Sequence, residues 1–158
     1  MRAFVFIAAG TRYAIEASWV EAVHPLVRAR PVHGAPSWLA GVIDVHGELV
    51  PLVDASALLA GDARTVPTLG ARVLLIDAGV GGDGPRARFA LSVDRVDAAA
   101  DLDADGSWRT GAQAVPWLGA VLQHRGQPVQ MFDPGTLASG HPQLAAPAGP
   151  IAPQERSR

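Results

Sequence analysis

Few residues in this chain have the type and spacing that chemistry needs. In DLDADG, Asp101, Asp103, Asp105 and Gly106 match the opening of an EF-hand calcium loop, whose alternating oxygen ligands surround a hard cation. That loop also needs a bidentate Glu at its twelfth position, which here is Ala112, and flanking helices that the neighbouring strand-like patterns deny. A solvated acidic loop is expected. The histidines, at 24, 33, 46, 124 and 141, show none of the short helical pairing that zinc enzymes use, and read as separate loop and turn residues. GVGGDG, from Gly79, has the composition of a phosphate cradle, yet it joins two strands rather than opening a helix, and there is no Lys to complete a P-loop. It is expected to be a flexible hairpin tip. Ser56 and Ser92 lie in no nucleophile-elbow pattern. Asp54 and Asp133 fall at matching strand ends, where repeat geometry accounts for them better than acid–base catalysis. No catalytic constellation, cofactor site or metal site is expected.

Composition narrows the classes further. The 158 residues fit one domain or two very small ones sharing a core, and 49% of them are apolar. All 13 basic residues are Arg and the formal charge is −2, which leaves no basic patch for nucleic acid or an anionic membrane. Without Cys there are no disulfides, thiolate metal ligands or thiol nucleophiles, and a cytosolic setting is the simpler expectation. The opening MRAFVFIAAG imitates a signal peptide, but RVLLIDAG from Arg72 repeats its pattern in mid-chain, where no signal can act. Both are expected to be strands. No apolar run approaches the roughly 20 residues of a spanning helix, so no direct membrane insertion is expected.

The elements that would position these residues are mostly strands. Residues 3–8 and 12–15, around Gly10, predict a β-hairpin; 17–20 suit one helical turn, and 20–27 an extended segment before prolines 25, 31 and 36 forbid a long helix. A second hairpin is predicted from 41–45 and 49–53 around His46-Gly47, closed by a short helix at 55–59, with 60–70 as a linker. Residues 72–78 and 88–93 predict a third hairpin, followed by an extended piece from Val96.

WLAGVIDVHGELVPLVD, from Trp38, then returns as WLGAVLQHRGQPVQMFD, from Trp117. Between 38–58 and 117–137, at an offset of 79, seven of 21 positions are identical without a gap: Trp38, Leu39, Val42, Gly47, Val50, Asp54 and Leu58. FALSVDRVDAA at 89–99 echoes YAIEASWVEAV at 13–23 more loosely, at an offset of 76. Two copies of one small β unit are expected, each too small to bury enough surface alone, with both repeated tryptophans in a common core. The units are placed at about 12–70, and at about 71–137 with the N-terminal strand, within a domain of 1–139. Residues 140–158, with prolines at 142, 147, 150 and 153, read as a disordered tail. Its Pro147, Pro150 and Pro153 also have the spacing of a polyproline II ligand.

Taken in order, the Tyr-Ala-Ile hairpin, Val-Glu-Ala-Val, APSWLAGVIDVHGELVPLVD and Ser-Val-Asp-Arg-Val resemble the CheW family of chemotaxis coupling proteins from about Phe4 to Leu137. The resemblance implies an all-β fold of two intertwined five-stranded SH3-like barrels around a shared core, with short helices. It implies no catalysis and no cofactor: the protein would be a cytoplasmic adaptor, held at the inner face of the membrane through receptor arrays. Its partners would be the cytoplasmic tip of a methyl-accepting chemoreceptor and the regulatory domain of a CheA-type histidine kinase. Carried onto this chain, the receptor-facing residues would be Val20, Gly41, Val42, His46, Gly47, Val93 and Asp94, and the kinase-facing ones Val23, Ile43 and Val45. The chain departs from the family at His46, where Arg is usual, and near Ala22, where an acid is usual. AVPWLGAVLQHRGQPVQ resembles accessory CheW variants of alternative pathways, such as the Wsp surface-sensing system that governs cyclic di-GMP. The alternative from another class is a small-ligand- or metal-binding β-barrel using the acidic loop or the histidines.

Overall fold

The computed structural model describes residues 1–78, 87–103, 107 and 115–144. The GVGGDG stretch, Asp105, Gly106, Ala112 and the prolines at 147, 150 and 153 lie outside them. Eleven strands and two short α-helices are found among the described residues: β1 (Arg2–Ala8), β2 (Thr11–Glu16), β3 (Val20–Pro25), β4 (Leu39–Val45), β5 (Glu48–Asp54), α1 (Ala55–Ala60), β6 (Arg72–Asp77), β7 (Arg88–Val93), β8 (Arg95–Val96), β9 (Ala100–Asp101), β10 (Leu118–His124), β11 (Gln127–Phe132) and α2 (Pro134–Gly140). Single 3-10 turns lie at Ala17–Trp19 and Pro142–Leu144.

The strands form two sheets. One runs β3-β6-β7-β5-β4; the other runs β10-β11-β2-β1-β8, with β9 also on β1. Neighbours are antiparallel except at two seams, where β5 lies parallel to β7 (Leu52↔Ala90) and β11 parallel to β2 (Gln130↔Tyr13). Hairpins β1–β2, β4–β5 and β10–β11 turn at Ala9-Gly10, His46-Gly47 and Arg125-Gly126, and all six residues have φ between 50° and 84°. Positive φ at both central residues is the turn whose twist matches the flanking strands, with glycine at the second position.

Three apolar clusters hold the molecule together. The central one joins Phe6, Tyr13 and Ile15 to Leu74, Ile76, Phe89 and Leu91, with Phe132, Leu137 and Leu144 closing it. Each sheet also curls round a small interior of its own, Val5, Ala14, Leu122 and Val129 in one and Ile43, Val50, Leu52, Val73, Leu75 and Ala90 in the other. Strands β1, β6 and β7 therefore bury both faces, so their sequences are nearly continuous apolar runs rather than alternating ones. This is the physical reason that the first strand looks like a signal peptide.

The two sheets do not follow the expected split of the chain. The first is built from residues between 20 and 93 and the second from 2–16 and 95–132, so β6–β7 belongs with β3–β5 and not with the C-terminal strands. Each repeat has lent its leading hairpin to the other: β1–β2 completes the sheet of β10–β11, and β6–β7 completes that of β4–β5. The expected start of the tail is corrected as well. His141 to Leu144 pack onto the body, with Leu144 fully buried in the central cluster. A single leucine among small residues and prolines has no periodicity to announce its burial.

Candidate functional site

The expected contact residues lie mainly on β3 and on the β4–β5 hairpin, and β3 and β4 are the two edges of their sheet. Between these edges opens an apolar groove of about 410 Å³, lined by His24 and Pro25 from β3, Val27 beyond it, Ile43 to His46, and Val73 and Leu75 from β6 at its base. The register explains who faces it. His24 pairs with Val73 and so shares its face, whereas Val23 pairs with Leu74, which points into the central core. Of the kinase-facing set, Ile43 and Val45 thus line the groove, while Val23, 38% exposed, lies on the opposite face of β3.

A strap formed by residues 26–38 crosses the outer edge of β4. Arg30 and Val42 exchange backbone hydrogen bonds of 2.8 and 2.9 Å, which satisfies part of an otherwise open edge. The crossing is so close that a Cβ on Gly41 would stand 2.0 Å from the Arg30 carbonyl oxygen, and Gly41 itself has φ of 145°. Gly41 is therefore buried under the strap and shapes the surface rather than presenting a side chain to a partner. Val93 is likewise fully buried, in the central core. Val42 is half-buried, while His46 and Gly47 are exposed. The Asp44 carboxylate accepts the Gly47 N–H at 2.7 Å and steadies the turn.

Two charged groups frame the site. Arg88, at the start of β7, donates to Glu21 at 3.0 and 3.2 Å and pairs with Glu48, stitching β3 to β5 beside the hairpin turn. Hydrogen bonding to Glu21 raises the proton affinity of this guanidinium further, against the opposing effect of burial. Asp94 follows the far end of β7, roughly 20 Å away along an extended strand. Its carboxylate accepts the Val66 N–H at 3.0 Å, and its own N–H bonds to Ile7. The structure thus separates Asp94 from His46 and gives Asp94 a structural task.

The segment at 60–70, expected as a plain linker, is pinned through Thr65 as well as through the Val66 N–H held by Asp94. Asp54 caps α1 by accepting the Ala57 N–H at 3.1 Å, and the same carboxylate accepts the N–H and hydroxyl of Thr65, which also reaches Ser92. Asp133 caps α2 through Thr136 in the matching place. Ser56 is fully buried and accepts the Ala9 N–H at 3.1 Å. These residues build the scaffold and form no catalytic array. Among the described residues, no three His, Asp or Glu side chains are placed to hold a metal ion.

The comparisons with known proteins fit this architecture. The sequence profile of the CheW-like domain matches residues 2–141. The chain belongs to the CheW-like family. Its fold is similar to that of the scaffolding protein TtCheW from Thermoanaerobacter tengcongensis, with a TM-score of 0.69 and 16% identity over 84% of this chain and 88% of that one. No curated protein sequence matches. The CheW-like fold of two SH3-like barrel subdomains is the arrangement that the resemblance implied, and its duplication is what the repeat led one to expect. A CheW-like protein is a scaffold of chemotaxis-type signal transduction, so this chain is a coupling adaptor and not an enzyme.

Of the residues lining the groove, sequence reasoning missed His24, Pro25, Val27, Asp44, Val73 and Leu75. The signal for His24 was its position within β3, in phase with the inward-facing Ala22.

Proposed function

We propose that this chain couples the cytoplasmic tip of a methyl-accepting chemoreceptor to the regulatory domain of a CheA-type histidine kinase, working in the cytoplasm within receptor arrays at the membrane's inner face. The observation that carries the reading is the family match over nearly the whole described chain. The geometry supports it. An adaptor needs small apolar patches presented from a rigid body, and the β3–β4 groove is such a patch on a body with three packed cores. Ile43 and Val45 would contact the kinase from within the groove, with Val23 adding a contact on the other face of β3. Val20, Val42, His46 and Gly47 would serve the receptor, with Asp94 at a distance from them. Gly41 and Val93 would act by holding the backbone that displays these residues. No helix among the described residues is long and apolar enough to cross a membrane, so attachment would run through the receptor.

The test mixes the purified chain with a CheA-type kinase and a chemoreceptor cytoplasmic fragment from the same organism. Co-sedimentation of all three, with receptor-dependent change in kinase autophosphorylation, is expected. Binding to neither partner would end the reading. A melting temperature that rises with added divalent metal would favour the metal-binding barrel instead, because a ligand specific to the native state stabilises it by mass action.

A further inference from the structure

The segment joining α1 to β6 ends in a turn that is held from several sides and yet carries the barest apolar side chain among the described residues. Leu69 is 99% exposed and Val66 56%, and every other exposed large apolar residue is less so. A lone exposed leucine needs no explanation by itself. What distinguishes Leu69 is the rigidity beneath it. The N–H and hydroxyl of Thr65 go to Asp54, and the Val66 N–H goes to the Asp94 carboxylate at 3.0 Å. The Thr68 N–H reaches the Val66 carbonyl at 2.8 Å, and the Ala71 N–H reaches the Thr68 carbonyl at 3.1 Å. Pro67 fixes one φ between them. The guanidinium groups on either side are turned inward: Arg64 donates to the carbonyls of Gly61 and Ala63, and Arg72 to those of Leu69 and Ala71. From Thr65 to Ala71 there is no charged residue.

With these N–H groups spent inside the molecule, the turn is a poor template for adding a partner's strand, and it presents side chains alone. Without charge of its own, it is matched to an apolar surface. Its place in the fold narrows the partner. Asp94, which holds Val66, stands where β7 of one sheet passes into β8 of the other, and its own N–H bonds to the Ile7 carbonyl of β1. The turn therefore rises at the junction of the two sheets, beside the receptor-facing position that stands apart from the His46 turn. We propose that Leu69 and Val66 form an apolar knob that docks in a hollow of the receptor tip, and that Asp94 is a positioning residue that aims it. This inference rests on the adaptor reading above. The knob is already ordered, so little conformational entropy is lost on docking. Burying one leucine side chain corresponds to about tenfold to hundredfold in affinity. Asp94 acts by accepting the Val66 N–H and not through its charge.

The experiment measures, by calorimetry on the full chain, binding of a chemoreceptor cytoplasmic fragment and, separately, of a CheA-type kinase from the same organism. It uses the parent, Leu69→Gln, Asp94→Asn and Asp94→Ala. Leu69→Gln is expected to weaken receptor binding about tenfold or more. Its kinase affinity and melting temperature are expected to stay at the parent's values, since so exposed a side chain supports nothing in the fold. Asp94→Asn, whose amide oxygen can still accept the Val66 N–H, is expected to bind the receptor as the parent does, and Asp94→Ala to bind it more weakly. Parent-like receptor binding by Leu69→Gln would overturn the proposal and leave the adaptor reading standing. So would a loss confined to the kinase, or an equal loss for both partners. A loss in Asp94→Asn as large as in Asp94→Ala would show that the charge itself meets the receptor, and would remove the positioning role. Failure of the parent to bind the receptor fragment at all would overturn both readings.

Discussion

His46 adopts a left-handed backbone, but that conformation does not depend on histidine, because Arg125 takes it at the matching turn. His46→Arg should therefore leave the urea-unfolding free energy within about 0.5 kcal/mol of the parent, as for other exposed sites free of special contacts. Gly41 is the opposite case. Any side chain there meets the Arg30 carbonyl at once, so Gly41→Ala should cost at least about 2 kcal/mol in the same measurement. The sequence could show the His-Gly turn, since its signal is local. It could not show why Gly41 is glycine, because the obstructing atom belongs to a segment that returns from upstream. Tyr13 offers a check on burial. Desolvation raises its pKa above 10, more than its hydrogen bond with Thr11 lowers it. The neutral phenol is thus favoured by folding, so its contribution is fully present below the unfolded value of about 10 and is lost as pH climbs through the folded one. Tyr13→Phe should flatten that alkaline limb of the stability curve, read by circular dichroism from pH 9 to 12.

Helices α1 and α2 begin in the same way, each on an aspartate whose carboxylate accepts the N–H three residues on. The surroundings differ. Asp133 serves its own helix at an exposed end, whereas Asp54 is buried and also receives both polar groups of Thr65. Asp133→Ala should cost about 1 kcal/mol, the usual worth of a cap. Asp54→Ala should cost about 2–4 kcal/mol, because it also strands the Thr65 N–H and hydroxyl. Parallel chemical denaturation of the two variants checks the difference, and equal losses would show that the Thr65 contacts contribute nothing. The strand pairs were readable in the sequence because alternation, turn residues and the offset of 79 all mark them. Helix α2 was less plain, since Gly135 and Gly140 weaken its pattern, although Asp133 as cap and Pro134 in the first turn mark its start.

Across the whole molecule, similarity between the repeats was legible but their partnership was not. Identical residues report common ancestry of two segments, while pairing of β11 with β2 depends on faces that meet only after folding. The repeated tryptophans were expected in the core, and they pack against it while half-buried, with the His141 ring between them at 5.0 and 5.4 Å. Ending the chain at Gly140 removes both that ring and the fully buried Leu144, so the loss should be about 2–5 kcal/mol and several degrees of melting temperature. An unchanged melting curve would show that the last turn is dispensable. The exchanged hairpins also set a timetable. On a ribosome the sheet of β3 to β7 has all its strands once residue 93 has emerged, but β2 must wait for β11, which ends at residue 132. At about 5–20 residues per second that is a delay of about 2–8 s. Throughout it the newborn hairpin carries Phe6, Tyr13 and Ile15 without Phe132, Leu137 and Leu144, the part of their cover that the end of the chain brings.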